Sequence, residues 1–399
     1  MFSKRTYSYL LVLLFGLFGF SHFCFAKERE FEKAVWIMTV YGLDWPKAQD
    51  ADSQKKELTE MLDKLKDHGF NRVYFQVRGR GDAFYESNNF PWSPFLSGEL
   101  GKYPGYDPLE FVAEECKKRD ITCEAALVNP FLISSESSWF SIDDYMEKLP
   151  ENSKMKGHKD WIMSTDEDYH LLNPGISEVR EMMAEECEYI AEKYKVGIHF
   201  NDFFYPYPDK VKIEGYDNEA YESYKQSLIS EDNKVDDVDD SEDEDASKEM
   251  SIEDWRRNNV NKFIKLVSSK VRSKGQTLSA SFFGVWKSDR DDKTLSSYYD
   301  LYIDSKKWLQ KEWLDYIIPQ VALNFGQNTS GFLQLTRWWA DQAESRKTKL
   351  LIGLSIYTYL AGDLKEYIEF LKQLNDVRGF AAFRFEFLNK MFEEGMWKN

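Results

Sequence analysis

The chain has 399 residues, of which 42% are hydrophobic and 16% aromatic, so it can form one large domain or two ordinary ones. Its net charge of −17 disfavours nucleic acid and anionic membrane surfaces as partners, because both would repel it. The 12 Trp, 23 Tyr and 29 Phe suit carbohydrate binding, since sugars present flat C–H faces to aromatic rings, and equally suit a large core with aromatic loop anchors.

The N-terminus has the pattern of a secretory signal peptide. Lys4 and Arg5 precede an apolar run over residues 10–20, and Ala26 is a small residue after which we predict cleavage. The apolar run is short for a membrane span; an uncleaved anchor and lipid attachment at Cys24 are the alternatives. Cleavage removes two positive charges and leaves a net charge of −19. We therefore predict an exported protein, periplasmic or extracellular, either free or associated with the cell envelope.

After residue 26 strand-like and helix-like segments alternate, which is typical of a parallel α/β architecture. Helical patterns run, for example, over residues 53–68, 108–119 and 177–194. Eight strands separated by helices fit one (β/α)8 TIM barrel over residues 27–399 better than two smaller domains. The predicted strands end near Val40, Arg78, Asn129, Asp202, Phe283, Gln320, Ser355 and Arg384.

Three connections are long. Residues 79–106 and 130–174 follow predicted strand ends, so we expect both to cover the end of the barrel at which TIM-barrel enzymes carry their active sites. Residues 231–249 differ, because they contain eleven acidic residues against Lys234 and Lys248 and few apolar ones. We predict a solvated, disordered insertion there rather than a calcium loop, since the regular spacing of oxygen ligands is absent.

Alternation along the strands predicts which side chains point toward the barrel axis. In the second strand the apolar residues would face the outer helices, which leaves Gln76 and Arg78 pointing inward. In the fourth predicted strand, which ends near Asp202, the same rule points His199 and Asn201 inward. Polar side chains from several strands should therefore meet at one end of the barrel. Further members of this set are Ser279, Ser281, Gln320, Arg384 and Glu386.

An ordered set of short motifs runs through the chain after residue 26. They are Val35-Trp36-Ile37, Asp44-Trp45-Pro46, Phe75-Gln76-Val77-Arg78 with Gly81-Asp82-Ala83, Pro104-Gly105-Tyr106-Asp107-Pro108, Leu172-Asn173-Pro174-Gly175, Gly197-Ile198-His199-Phe200 with Phe204-Tyr205-Pro206, Phe283-Gly284-Val285-Trp286 and Asp315-Tyr316-Ile317-Ile318-Pro319-Gln320. The set resembles the bacterial glycosyl-hydrolase-like family 10, exported TIM-barrel proteins associated with glycans, peptidoglycan strands among them. The resemblance covers nearly all of the mature chain except the acidic insertion.

Three positions depart from the pattern of this family. Asn201 occupies the place of the first of two Asp residues that usually precede the aromatic-Phe-Tyr-Pro run. The segment Asn129-Pro130-Phe131-Leu132 lacks the Arg usual after the third strand, and Val321-Ala322-Leu323 replaces an aromatic pair. The resemblance therefore implies a binding face with fewer polar and stacking groups than is usual in the family.

Glycoside hydrolysis normally needs two carboxyl groups, one to donate a proton and one to act as nucleophile or base. Asp202 is the predicted acid; alternation would turn it outward, but its position at the strand end relaxes that rule. Asn201 cannot transfer a proton, although it can orient a hydroxyl or a water. Asp82, which matches a family motif, and Glu386, which shares a face with Arg384, are the candidate second carboxylates. The alternative for Asp82 and for Glu386 is a structural role as the partner in an ion pair.

Five polar residues are candidates for substrate binding through hydrogen bonds or charge. Asn129, Asn201 and Gln320 suit sugar hydroxyls, because amides both donate and accept. Arg78 and Arg384 suit a hydroxyl or a carboxylate, and their alternative role is to neutralise buried acids.

Three ring-bearing residues complete the predicted site. His199 is a candidate for assisting proton transfer, with a hydrogen-bonded core histidine as the alternative. Tyr205 and Trp286 are candidate sugar platforms, with ordinary loop anchors as the alternative.

The sequence therefore predicts an exported glycoside hydrolase that cleaves a polysaccharide, with peptidoglycan strands among the candidates, by carboxylate acid/base catalysis. The alternative is a glycan-binding protein on the same barrel that has lost turnover, because Asn201 replaces an expected acid. A third hypothesis is an envelope protein whose acidic insertion binds a partner. No metal or organic cofactor is predicted, because the sequence has no metal-ligand spacing and no phosphate-binding glycine loop.

Overall fold

The computed structural model describes residues 31–397 except for 135–140, 166–168, 209–212, 230–248, 289–293, 322–328 and 357–360. The predicted signal peptide lies outside these residues, as does the acidic insertion apart from Glu249. Within the described ranges no helix is both long and apolar enough to cross a membrane.

The barrel is built from parallel strands, and a small antiparallel sheet lies elsewhere in the same chain. The strands in the described ranges are β1 (Glu32–Ile37), β2 (Arg72–Arg78), β3 (Thr122–Leu127), β4 (Leu132–Ser134), β5 (Ile162–Ser164), β6 (His170–Leu172), β7 (Gly197–Phe200), β8 (Leu278–Phe283), β9 (Tyr316–Gln320), β10 (Lys349–Ser355) and β11 (Val377–Phe383). Eight of them close a barrel in the order β1, β11, β10, β9, β8, β7, β3, β2, and β4, β6 and β5 form the small sheet. The predicted (β/α)8 TIM barrel is confirmed.

Helices separate the barrel strands and pack against their outer faces, for example on β3, β7, β8, β10 and β11. They are α1 (Ala51–Asp67), α2 (Pro94–Ser97), α3 (Pro108–Lys118), α4 (Ile142–Lys148), α5 (Ser177–Tyr194), α6 (Asn218–Ile229), α7 (Ile252–Ser273), α8 (Ser297–Asp300), α9 (Ser305–Gln310), α10 (Thr329–Ala343), α11 (Ala361–Gln373) and α12 (Phe385–Glu393). Short 3-10 turns occupy Val40–Gly42 and Lys159–Trp161.

Side-chain caps explain where two of the predicted helices begin. Asp107 caps α3 by accepting hydrogen bonds from the N–H groups of its first turn, and Pro108 fills the first helical position, as predicted. Helix α1 begins two residues before the predicted start, because its cap is Asp50, which accepts a hydrogen bond from the Ser53 N–H.

The core of the barrel consists of strand residues that point toward its axis. Trp36 and Tyr74 belong to this buried cluster, which agrees with the predicted inward face of β2. Val40, Phe203 and Phe383 pack on the cluster from the residues that follow or end β1, β7 and β11. These three side chains mark the C-terminal end of the barrel, which we call the mouth.

A polar network crosses the barrel interior. The Trp36 indole N–H donates to His199 Nε2 at 3.1 Å, and His199 Nδ1 lies 2.7 Å from Ser279 Oγ. Ser279 donates in turn to Glu124, which forms an ion pair with Arg72. Burial, together with the charge of Arg72, lowers the pKa of His199 well below its usual value. The ring is therefore neutral, and because Nε2 accepts a hydrogen bond its proton is on Nδ1.

Candidate active site at the barrel mouth

Asp202, in the loop after β7, is 1% exposed. The Tyr207 hydroxyl donates to its Oδ2 at 2.6 Å, whereas Oδ1 is buried and has no hydrogen-bond partner among the described residues. Burial raises the pKa of Asp202 to about 6, against the Tyr207 hydrogen bond and the nearby Gln320 amide, which lower it. A carboxyl group with this pKa is partly protonated near neutral pH and therefore suits proton donation.

Two further polar side chains lie on the same side of the mouth. Gln320 ends β9, and its Nε2 donates to Ser281 Oγ on β8 at 2.8 Å. Because β8 lies between β7 and β9 in the barrel, the three strands bring Asp202, Ser281 and Gln320 together. Polar residues from several strands thus converge here, as the strand alternation predicts.

Two amides at the ends of neighbouring strands have unpaired oxygens. Asn201 follows β7 and is 4% exposed, and Asn129 follows β3, which pairs with β7. Asn129 Nδ2 donates to the Gly79 carbonyl at 3.1 Å. In both amides Oδ1 is buried without a partner in the part of the chain that the structure describes. Such acceptors are rare in folded proteins, and because both oxygens are buried a ligand would reach them only after a neighbouring side chain moves.

A second group of charges lies across the mouth, because β11 is opposite β7 in the ring of eight strands. The Arg384 guanidinium donates to Asp44 Oδ1 at 2.5 Å and to Glu386 Oε2 at 2.5 Å. Asp44 also accepts from the backbone N–H groups of Met38 and Glu386. Burial raises the pKa of Asp44, although these donors oppose it. The Asp44–Arg384 pair therefore joins the loop after β1 to the loop after β11.

Glu386 differs from Asp44 in its exposure. Its side chain is 40% exposed, compared with 0% for Asp44. Partial burial acts against ionisation, but Arg384 and Lys390 hold the pKa of Glu386 below its usual range. Glu386 is therefore an ionised carboxylate that solvent can reach.

The third predicted carboxylate, Asp82, lies in the loop after β2 and is 6% exposed. It is among the charges that act on the buried side chains of Arg78 and Tyr145. No hydrogen bond in the described ranges joins Asp82, Asp202 and Glu386 to one another. Among the described residues no cluster of three or more His, Cys, Asp or Glu side chains could hold a metal ion.

Arg78 does not point into the barrel, contrary to the prediction. The pairing of β2 with β3 shifts between Gln76 and Arg78, so that Arg78 pairs with Leu127. The shift breaks the alternation on which the prediction was based. The guanidinium is buried, stacks over Phe90 at 4.1 Å and holds the loop after β3. It donates to the carbonyl groups of Asn129, Pro130 and Leu132.

His199 and Tyr205 also have no exposed surface. Both ring nitrogens of His199 contact protein groups inside the barrel, which is the core role given above as its alternative. The Tyr205 ring packs against Tyr302 at a centroid distance of 5.1 Å, which is the role of a loop anchor. As placed, neither side chain offers a surface to a sugar.

Trp286, in the loop after β8, remains partly exposed. Its Nε1 donates to Asp304 Oδ1 at 3.2 Å, and its ring lies nearly parallel to that of Trp338 at 6.1 Å. The Lys306 ammonium group lies 4.7 Å from the ring centroid of Trp286. Part of the ring is thus covered by protein and part faces solvent.

A family model described as Glycosyl hydrolase-like 10 matches residues 32–366, which is most of the chain. The chain belongs to this family. The match confirms the resemblance drawn from the motifs. Asp82 and Asp202 lie inside the matched range, whereas Arg384 and Glu386 lie beyond its end. The range matched by the family therefore includes the first two carboxylates and not Glu386.

Two relatives agree with this assignment. Glycosyl hydrolase YngK from Bacillus subtilis is 32% identical over 97% of this chain and 75% of its own length. Glycosyl hydrolase DigH from Escherichia coli K12 is 29% identical over 90% of this chain and 84% of its own length.

Solved structures of other proteins agree with the barrel fold of this chain. The catalytic domain of a beta-amylase from Paenibacillus polymyxa superposes with a TM-score of 0.55 at 14% identity, covering 90% of this chain and 94% of that one. An endo-1,4-beta-mannanase from Rhizomucor miehei gives a TM-score of 0.51 at 12% identity, covering 89% and 86%. At these identities the similarity shows the fold alone.

Two residues of the mouth were not singled out from the sequence. Asp44 lies in one of the family motifs, but no local pattern predicts its contact with Arg384, which is 340 residues away. Tyr207 follows Asp202 by five residues, and only its place just beyond the Phe204-Tyr205-Pro206 run could have drawn attention to it.

Proposed function

We propose that this protein is a glycoside hydrolase in which Asp202 is the general acid. The observation that carries the proposal is the state of one carboxyl group at the barrel mouth. Asp202 is buried, its pKa is raised to about 6, and only one of its oxygens has a protein partner. Membership in the glycosyl hydrolase-like family and the names of the relatives support the same class of reaction.

The hydrogen bonds of Asp202 specify which of its oxygens would donate the proton. Oδ2 accepts from Tyr207, so the protonated acid carries its proton on the unpaired Oδ1. Transfer of that proton to the glycosidic oxygen allows the bond to the anomeric carbon to break. The Asn201 and Gln320 amides beside it bind sugar hydroxyls in this mechanism, because amides donate and accept.

The second carboxylate of the mechanism is Glu386 or Asp82, and a different argument supports each. Glu386 is solvent-accessible and lies in the first turn of α12, directly after β11, the strand opposite β7, and not in the last strand as predicted. Its lowered pKa suits a base or a nucleophile. Asp82 lies within the range matched by the family and only two strands away from β7. The variants Glu386→Gln and Asp82→Asn distinguish them, because only the loss of the second carboxylate should lower kcat as strongly as the loss of the acid.

The main test measures the release of reducing ends from a panel of polysaccharides that includes peptidoglycan glycan strands, our first candidate substrate. Asp202→Asn should lower turnover by about 10²- to 10⁴-fold. Asp63→Asn, a change at an exposed carboxylate on α1, is the matched control and should leave turnover unchanged. Absence of product from every glycan, or full turnover in Asp202→Asn, contradicts the proposal.

Export is part of the proposed function, because envelope polysaccharides lie outside the cytoplasm. Cleavage after Ala26 would leave Lys27 as the first residue. N-terminal sequencing of protein recovered from the periplasm or the medium tests this expectation. Recovery of a chain that still begins at Met1 contradicts it.

A glycan-binding protein without turnover is the second candidate function, and Asn201 is the observation that favours it. The amide is buried beside Asp202, where the family resemblance implies an acid, and its Oδ1 has no described partner. If the wild-type protein binds a glycan without cleaving it and Asn201→Asp gains turnover, the binding function is correct. Turnover by the wild-type protein rules it out.

A further inference from the structure

The turn after β1 places an aromatic side chain at the rim of the mouth. Tyr41 is 41% exposed and Leu43 is 37% exposed, and they are two of the four exposed large hydrophobic side chains in the described ranges. Val40, just before Tyr41, packs on the barrel interior, so this turn lies directly at the mouth. Exposed apolar side chains that cluster beside a cleft often mark a binding surface.

The backbone holds Tyr41 in a fixed and unfavourable conformation. Its φ of 54° and ψ of 19° lie in the left-handed region, which a tyrosine rarely adopts. Gln76 Oε1 accepts hydrogen bonds from the N–H groups of the two residues before Tyr41, each at 2.8 Å. On the other side Lys47 Nζ donates to the Gly42 carbonyl at 2.8 Å. These contacts stabilise the strained turn, and such strain is commonly found at ligand-binding sites.

The ring of Tyr41 is supported from below by two side chains. The Arg80 guanidinium carbon lies 4.6 Å from its centroid, and the Phe95 ring contacts it edge-on at 6.1 Å. Arg80 is only 5% exposed, and both aromatic rings lie against its guanidinium. The cation–π contact orients the ring plane, and Tyr41 is still 41% exposed.

We propose that Tyr41 is a stacking platform for one pyranose ring of a glycan chain. A pyranose whose substituents are all equatorial presents a face of C–H groups that packs well on an aromatic ring. A rigid ring also loses little conformational entropy on binding. The ligand class is therefore a β-linked polysaccharide, whose pyranose rings keep one face of C–H groups even where a single hydroxyl is axial. Only the choice of a glycan as ligand rests on the proposed function.

The position of Tyr41 separates it from the reacting bond. β1 and β7 are three steps apart around the eight-stranded ring, so Tyr41 and Asp202 lie toward opposite sides of the mouth. The sugar on Tyr41 is therefore not the sugar that reacts at Asp202. Its contribution to binding should appear with oligosaccharides long enough to reach both positions and should be absent with a disaccharide bound at Asp202.

Three variants separate the role of the ring from that of the backbone. Tyr41→Asn removes the ring but suits the left-handed conformation, so the fold should be retained and the melting temperature should not fall. Tyr41→Phe keeps the ring. Tyr103→Ala removes a different exposed tyrosine, 58% exposed and packed on Trp92, and serves as the matched control.

Calorimetric titration in an Asp202→Asn background measures binding without hydrolysis. The probes are the hexamers and dimers of β-1,4-linked N-acetylglucosamine, glucose and mannose. Tyr41→Asn should weaken binding of the best hexamer about tenfold and leave its dimer unchanged, whereas Tyr41→Phe and Tyr103→Ala should bind as the parent does.

Three results overturn the platform. They are unchanged binding in Tyr41→Asn, an equal loss in Tyr103→Ala, and the absence of binding to every hexamer. A hexamer that binds in a Tyr41-dependent way but is not cleaved by the wild-type protein contradicts the proposed hydrolysis alone and leaves the platform intact.

Discussion

The barrel interior and the barrel mouth both contain buried polar side chains. More of these side chains have a hydrogen-bond partner in the interior than at the mouth. In the interior Arg72, Glu124, Ser279 and His199 form one continuous network in which each side chain has at least one protein partner. The Tyr74 hydroxyl is an interior exception, since it has no partner among the described residues. In the loops at the mouth four side chains have a buried oxygen without a described partner, namely Asn129, Asn201, Asp202 and Tyr205.

This difference indicates which polar groups serve the fold and which are available to a ligand. An unpaired polar group deep in the barrel would cost stability at all times, because nothing enters to complete its hydrogen bonds. At the mouth a ligand or water that displaces a neighbouring side chain can supply the missing donor. The unpaired oxygens are therefore consistent with the proposed sugar-binding site, and the paired network with a structural role.

The largest effect on stability should follow the loss of the interior ion pair. Glu124→Gln leaves the buried Arg72 charge with Glu32 as its remaining ionic partner, so the free energy of unfolding should fall by about 3 kcal/mol. Glu32→Gln is the matched control on the same guanidinium, because the Glu32 side chain is 16% exposed and that of Glu124 is 0% exposed. Urea unfolding of both variants measures the difference, and equal losses would break the comparison.

The next effect concerns the buried acid at the mouth and depends on pH. The pKa of Asp202 is raised from 3.8 to about 6 on folding, so the unfolded chain binds fewer protons between these values and the wild-type protein loses stability as pH rises. The loss amounts to about 3 kcal/mol and is complete above pH 6. Asp202→Asn lacks this titration. Its stability relative to the wild type should therefore rise by about 2 kcal/mol between pH 4 and pH 7, and a difference independent of pH would contradict the assignment.

The smallest effect is a shift in the pH profile of the proposed reaction. The Tyr207 hydrogen bond lowers the pKa of Asp202, so Tyr207→Phe should raise that pKa and move the alkaline limb of kcat/KM upward by about 0.5 to 1 pH unit. Tyr205→Phe is the control, because the Tyr205 hydroxyl has no described partner and its ring packs against Tyr302. An unshifted limb in Tyr207→Phe would show that Asp202 is not the acid that titrates there.

The sequence by itself determined the barrel and the positions at its mouth. The strand ends predicted near Arg78, Phe283, Gln320 and Ser355 coincide with the observed ends of β2, β8, β9 and β10. Strand alternation and helix caps depend on neighbouring residues, so they can be read locally. Since parallel barrel strands all end at one face, Asp202 and Gln320 could also be assigned to the same end.

Only the tertiary structure decided the environment of these residues. The orientation of Arg78 depends on a shift in pairing between β2 and β3 and on the carbonyl groups of another loop. The contact of Asp44 with Arg384 joins residues 340 positions apart, and the raised pKa of Asp202 depends on its burial. The physical reason is the same in each case: a periodic pattern is a property of adjacent residues, whereas hydrogen bonds, ion pairs and desolvation depend on atoms that come close only when distant segments pack together.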